Sequence, residues 1–115
     1  MITIDVDYGY AFDYLAILEV KNRKMHSAES QENFNKCYKH LRDQIDQEKW
    51  DEVIRSKQYS DMIDANAKTF EAVEQARYGN TTAKHVDDCN MERFHCKKNL
   101  QKKFFPDAIS VEIKS

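Results

Sequence analysis

The chain has 115 residues, enough for a single modest core, and we predict one domain over residues 1–115. The formal net charge of −2 excludes a protein that is basic over its whole surface. With only two glycines and one proline, the chain has few turn residues, which disfavours a many-stranded sheet and favours long helices with short connections.

Both ends of the chain alternate apolar and polar residues, the pattern of a strand with one buried face. The alternation covers residues 2–8 at the start and residues 109–114 at the end. A lone strand is unstable, so we expect these two to pair with each other or with a second copy of the chain. The predicted fold is α+β and predominantly helical, with N- and C-terminal strands bracketing four or five helices.

Between the two predicted strands the apolar residues follow helical spacing. The first helix is apolar almost all round, which is typical of a helix at the centre of a core or at a dimer seam, and it leads us to predict a homodimer. Pro106 ends the last helix. The predicted helices cover roughly residues 10–23, 28–46, 49–56 and 57–78, and a last one that Thr81 or Thr82 caps runs to about Phe105.

The cysteines predict a reducing compartment. The chain has an odd number of cysteines, Cys37, Cys89 and Cys96, and their spacing does not match a disulfide framework. We therefore expect free thiols in the cytoplasm. The chain opens without a basic segment or a long apolar run, so we expect no signal peptide. Its longest apolar-rich stretch, residues 8–20, is too short and too charged for a membrane span, and we predict no membrane partner.

We predict no catalytic residue, no metal site and no cofactor. His85, Cys89, Glu92 and Cys96 share one face of the last predicted helix. One straight helix cannot wrap four ligands around a zinc ion. The Glu-x-x-His sequence from Glu92 to His95 fits a di-iron bundle only with a second copy, which the chain lacks. Without a Gly-rich phosphate loop or a nucleophile pattern, we expect a protein that is not an enzyme.

Polar residues interrupt the apolar stripes of the last two long helices. They are Asn66, Asn90, Arg93 and Lys97. Buried without partners, each would cost about 1–3 kcal/mol. One interpretation is an internal network in which Arg93 pairs with a carboxylate such as Asp13 or Glu74. A second is that the four residues bind an anionic ligand, a phosphate or nucleotide, and a third is that the last helix turns them to water.

The last predicted helix also carries a basic patch, because residues 93–105 include five basic residues and no acid. Its lysines are Lys97, Lys98, Lys102 and Lys103, followed by two phenylalanines. Positive charge at a helix C-terminus is favourable without any partner. Lysines beside aromatic residues are also typical of surfaces that bind nucleic acid, so the patch is a candidate interface for nucleic acid or an acidic partner.

Three segments of the sequence resemble small uncharacterised proteins of tailed bacteriophages. They read YGYAFDYLAILEVK from Tyr8, KTFEAV from Lys68 and NMERF from Asn90. The resemblance implies a small accessory protein in the host cytoplasm that binds and modulates a host protein, or that sequesters a host signal molecule. Three hypotheses follow: first a non-enzymatic interaction protein with a host partner, second a nucleotide- or anion-binding protein, and third a nucleic-acid accessory protein.

Overall fold

The residues that the structure describes form a bundle of five helices. The computed structural model describes residue 2 and residues 4–108, and the helices contain 81% of these residues. They are α1 (Tyr8–Met25), α2 (Ala28–Gln44), α3 (Gln47–Ile54), α4 (Lys57–Arg77) and α5 (Ala83–Phe104). Each lies within a few residues of a predicted helix. In the described part of the chain, no helix has both the length and the apolar content needed to cross a membrane.

The α+β prediction is wrong, because the residues that the structure describes form helices and no strand. At the N-terminus the apolar residues of the alternating pattern are exposed, Ile2 at 90% and Ile4 at 72%. Asp7 serves α1 instead, since its carboxylate accepts a hydrogen bond from the Tyr10 amide at 2.8 Å. Alternation indicates which side chains share a face but supplies no partner strand. The predicted closing strand, 109–114, lies outside the described residues.

A polar side chain caps the start of each of the five described helices and thereby decides where the chain divides. The N-cap residues are Asp7, Ser27, Asp46, Ser56 and Thr82. Each accepts a hydrogen bond from the backbone amide three residues further on. Gly79 follows α4 with a φ of 70°, a conformation that glycine adopts without strain.

The core surrounds α1, which packs against α2, α4 and α5. This central position explains why the helix is apolar on almost every side. The largest fully buried side chains are Trp50, Phe12, Leu15, Met62, Leu100 and Val53. They come from α1, α3, α4 and α5, whereas the only buried residue of α2 is Ser30. The helices α4 and α5 share the most extensive contact of the described helices.

Candidate functional site

A buried carboxylate joins the three longest helices. Asp13 of α1 is 3% exposed. Its Oδ1 accepts a hydrogen bond from Asn66 Nδ2 of α4 at 2.8 Å. Its Oδ2 accepts one from Arg93 Nη2 of α5, also at 2.8 Å. The negative charge therefore has both a counter-charge and hydrogen-bond donors, which a buried carboxylate requires.

The Arg93 side chain extends this network toward the surface. Its Nη1 donates to Asn90 Oδ1 at 3.2 Å, and the side chain remains 23% exposed. Its Nε is buried and meets no hydrogen-bond partner among the described residues. Three of the predicted polar residues therefore meet around Asp13: Asn66, Asn90 and Arg93. This arrangement agrees with the first interpretation of the interrupted stripes, an internal network. Glu74, the other carboxylate considered, instead lies 3.6 Å from an arginine of its own helix.

This geometry weakens the case for an anion site at the four predicted residues. Because Asp13 already matches the charge of Arg93, a second anion placed there would be repelled by the Asp13 carboxylate. The Lys97 Nζ lies 5.5 Å from the centre of the Tyr10 ring. The structure brings the other three predicted residues together around Asp13. Anion binding by this set stays a prediction.

Tyrosines are exposed where α1 approaches α5. The approach is close because Gly9 has no side chain: a Cβ atom there would lie 2.8 Å from the Lys97 carbonyl oxygen. The Gly9 amide donates to Gln101 Oε1 at 2.7 Å, which ties the start of α1 to α5. Beside this contact, Tyr10 and Tyr14 lie one turn apart on α1 and are 43% and 50% exposed.

Further apolar side chains on α5 extend this surface. Phe94 precedes Lys97 by three residues and is half-buried, and Met91 precedes Phe94 by three more and is 46% exposed. Residues three apart are neighbours on a helix surface. We call this surface the α1–α5 face, defined by Tyr10, Tyr14, Met91, Phe94 and Lys97. Tyrosine, phenylalanine and methionine are the residue types enriched in protein interfaces.

The lysines of the predicted basic patch lie on more than one side of α5. Lys97 lies over Tyr10 and Lys98 lies 5.4 Å from the centre of the Phe94 ring, both at the α1–α5 face. Lys102 and Lys103 instead line a groove between α5 and α4. Since an α-helix turns about 100° per residue, Lys97 and Lys103 project about 120° apart around α5.

The groove between the start of α4 and the second half of α5 has a volume of about 640 Å³. We call it the lysine groove. The residues that line it include Lys57, Asp61, Cys96, Asn99, Lys102 and Lys103. Lys57 Nζ pairs with Asp61 Oδ2 at 2.9 Å. The sequence does not predict that Lys57 belongs to this site, because Lys57 is far from Lys102 in the chain. Only the packing of α4 on α5 brings the two residues together.

On α5, Cys89 is buried and Cys96 is half-buried, whereas His85 and His95 are exposed. All three cysteines are free thiols. Burial is the main cause that raises the pKa of Cys96, so this thiol stays protonated at neutral pH. Its Sγ donates to the Asp61 carbonyl at 3.7 Å. In the part of the chain described, no group of three or more His, Cys, Asp or Glu side chains is placed to hold a metal ion.

Two surfaces are therefore candidates for binding: the α1–α5 face, which is aromatic with a basic edge, and the lysine groove, which is polar and basic. They lie on different sides of α5. When the chain is compared with known proteins, no family model, no curated protein and no solved structure matches it.

Proposed function

We propose that the protein is a non-enzymatic interaction protein that binds a partner protein through the α1–α5 face. The observation that carries the proposal is the exposure of Tyr10 and Tyr14, 43% and 50%, on a helix that also supplies buried core residues such as Phe12 and Leu15. Tyrosine rings offer a large apolar area together with a hydroxyl that can form hydrogen bonds. They are also among the side chains that contribute most to binding energy in protein interfaces.

The network beneath the face supports the proposal. Asp13 lies between the two tyrosines in sequence and holds α1 to both Asn66 and Arg93. The contact of Gly9 with Gln101 holds the same helix one turn earlier. The tyrosines therefore project from a backbone that is fixed at two points. Such preorganisation reduces the entropy that is lost when a partner binds.

The charge of the face indicates the chemistry of the partner. Lys97, over the Tyr10 ring, places a positive charge at its edge, so we propose a partner whose surface is apolar with acidic groups. The resemblance to small phage proteins makes a host protein the proposed partner, with this chain as its modulator. Nucleic acid is the second candidate, since tyrosine rings beside lysines also suit stacked bases and phosphates.

Two surface variants test the proposal. Tyr10→Ser/Tyr14→Ser removes the rings, and Tyr78→Ser is the matched control, because Tyr78 is 75% exposed and lies just after α4. Substitutions at such positions are expected to change stability by no more than about 0.5 kcal/mol, which circular dichroism and thermal melting verify. We expect immobilised wild-type and control proteins to retain the same protein from host lysate, and the double variant to lose it.

Loss of that protein from the control variant as well would contradict the proposal. Retention of nucleic acid, removed by nuclease and by moderate salt, would favour the second candidate, because phosphate contacts weaken steeply as the salt concentration rises.

A further inference from the structure

We propose that the lysine groove is a second binding site, and that its ligand is a compact anion with two or more linked phosphate groups, such as the phosphate chain of a nucleotide. The first observation is the convergence of positive charge. Lys57 from α4 and Lys102 and Lys103 from α5 line the same groove. Asp61 is the one acidic residue among the described residues lining it.

The charges within the groove are poorly balanced. Lys57 is the first residue of α4, where the helix dipole disfavours a cation, and the first turn of α4 contains no acid. Asp61 compensates Lys57 through their ion pair at 2.9 Å. In the described part of the chain, neither Lys102 nor Lys103 forms a salt bridge, and both are exposed. A phosphate chain bound there would supply the negative charge that these two lysines lack.

The shape of the site favours a compact ligand over a long polyanion. Its volume of about 640 Å³ lies within the range of roughly 300–1,000 Å³ that is usual for small-ligand sites. Lys57, Lys102 and Lys103 line one groove from two helices, which concentrates their positive charge in a compact site. Asn99 adds an amide that can donate hydrogen bonds to phosphate oxygens.

This proposal is independent of the proposed function, because the two sites use different residues on different sides of α5. Either can fail without the other.

Calorimetric titration at low ionic strength tests the site with three probes: inorganic tripolyphosphate, ATP and a single-stranded oligonucleotide. The groove variants are Lys57→Gln and Lys102→Gln/Lys103→Gln. The matched controls remove the same number of positive charges elsewhere. Lys36→Gln on α2 is the control for the single variant, and Lys36→Gln/Lys84→Gln is the control for the double variant. The side chains of Lys36 and Lys84 are 74% and 85% exposed.

We expect tripolyphosphate and ATP to bind the wild-type protein with similar affinity, because the phosphates carry the recognition. Each lost lysine should weaken binding about tenfold, the ordinary effect of removing a charged hydrogen bond. The controls should bind as the wild-type protein does.

Three results would overturn the proposal. One is the absence of binding by tripolyphosphate at low ionic strength. Another is an equal loss of affinity in the control variants, which would indicate a response to net charge alone. The last is tighter binding of the oligonucleotide that depends on Lys97 and Lys98 and is unaffected by the groove variants, which would assign the basic surface to nucleic acid.

Discussion

At the scale of single residues, Asp13 has the largest structural consequence, because one buried carboxylate connects α1, α4 and α5. Removing Arg93 would leave that carboxylate buried without its counter-charge. We expect Arg93→Met to lower the free energy of unfolding by about 3 kcal/mol, the lower end of the usual cost, since Arg93 is 23% exposed. Equilibrium unfolding in urea measures this change.

The matched control is Lys84→Met, which breaks an exposed ion pair with Asp88 and should change stability by less than about 1 kcal/mol. Asp13→Leu/Arg93→Met removes both buried charges and should recover part of the loss, because no charge remains buried alone. Equal effects of Arg93→Met and Lys84→Met would mean that the buried ion pair does not hold the helices together.

Glu19 of α1 makes stability depend on pH. Burial raises the pKa of its carboxyl group, and Arg23, 2.9 Å away, lowers that pKa by a smaller amount. The folded state therefore holds the proton more tightly than the unfolded state. The stability that this provides is complete below the ordinary pKa of 4.5 and is lost as the pH rises through the higher pKa of the folded state.

We consequently expect Glu19→Gln to unfold at a higher urea concentration than the wild-type protein at about pH 7, and to lose this advantage at about pH 4. Glu32→Gln is the control, since Glu32 forms a similar but exposed pair with Lys36. A Glu19→Gln protein with the same relative stability at both pH values would contradict the assignment.

At the scale of elements, the approach of α1 to α5 depends on Gly9. Alanine in place of glycine normally stabilises a helix by about 1 kcal/mol. Here the new Cβ would lie 2.8 Å from the Lys97 carbonyl oxygen and 3.3 Å from the Gln101 Cβ, so the two backbones must separate. We expect Gly9→Ala to destabilise the protein by about 1–3 kcal/mol, visible as a melting temperature several degrees lower.

Gly79→Ala provides the comparison. A Cβ at Gly79 would meet no atom within 4 Å, but the φ of 70° would strain alanine, so its effect reports backbone strain without a clash. If Gly9→Ala melts at or above the wild-type temperature, α1 and α5 do not require the close approach.

The helices themselves could be predicted with good bounds because their signals are local. A Ser27 or Thr82 cap acts on an amide three residues away, and an apolar stripe repeats within a turn or two. The N-terminal strand could not be predicted from local signals alone, because a strand is stable only if another strand pairs with it. Asp7 shows the competition at this end: its side chain forms the cap that begins α1.

At the scale of the whole molecule, the burial of α1 changes the argument for a dimer. The apolar surface that motivated the predicted homodimer packs against α2, α4 and α5 of the same chain. Tyr10 and Tyr14 are among the apolar side chains of α1 that remain exposed to a second copy. We therefore expect light scattering at micromolar concentration to give the single-chain mass of 13.6 kDa.

A measured mass twice that value would contradict this expectation and support the homodimer that the sequence predicts. Tyr10→Ser/Tyr14→Ser would then show whether the second copy covers the α1–α5 face: the variant should return to the single-chain mass if it does. Tyr78→Ser again serves as the control, since it removes an exposed tyrosine ring from another surface.

The sequence by itself determined the helices and the Thr82 cap, because the forces behind them act over a few residues. Tertiary structure decided which polar residues meet. Asp13 and Arg93 are 80 residues apart in the chain, and Lys57 comes from a different helix than Lys102. Such pairs depend on how helices pack and rotate against one another, and that arrangement follows from the burial of the whole core rather than from any local pattern.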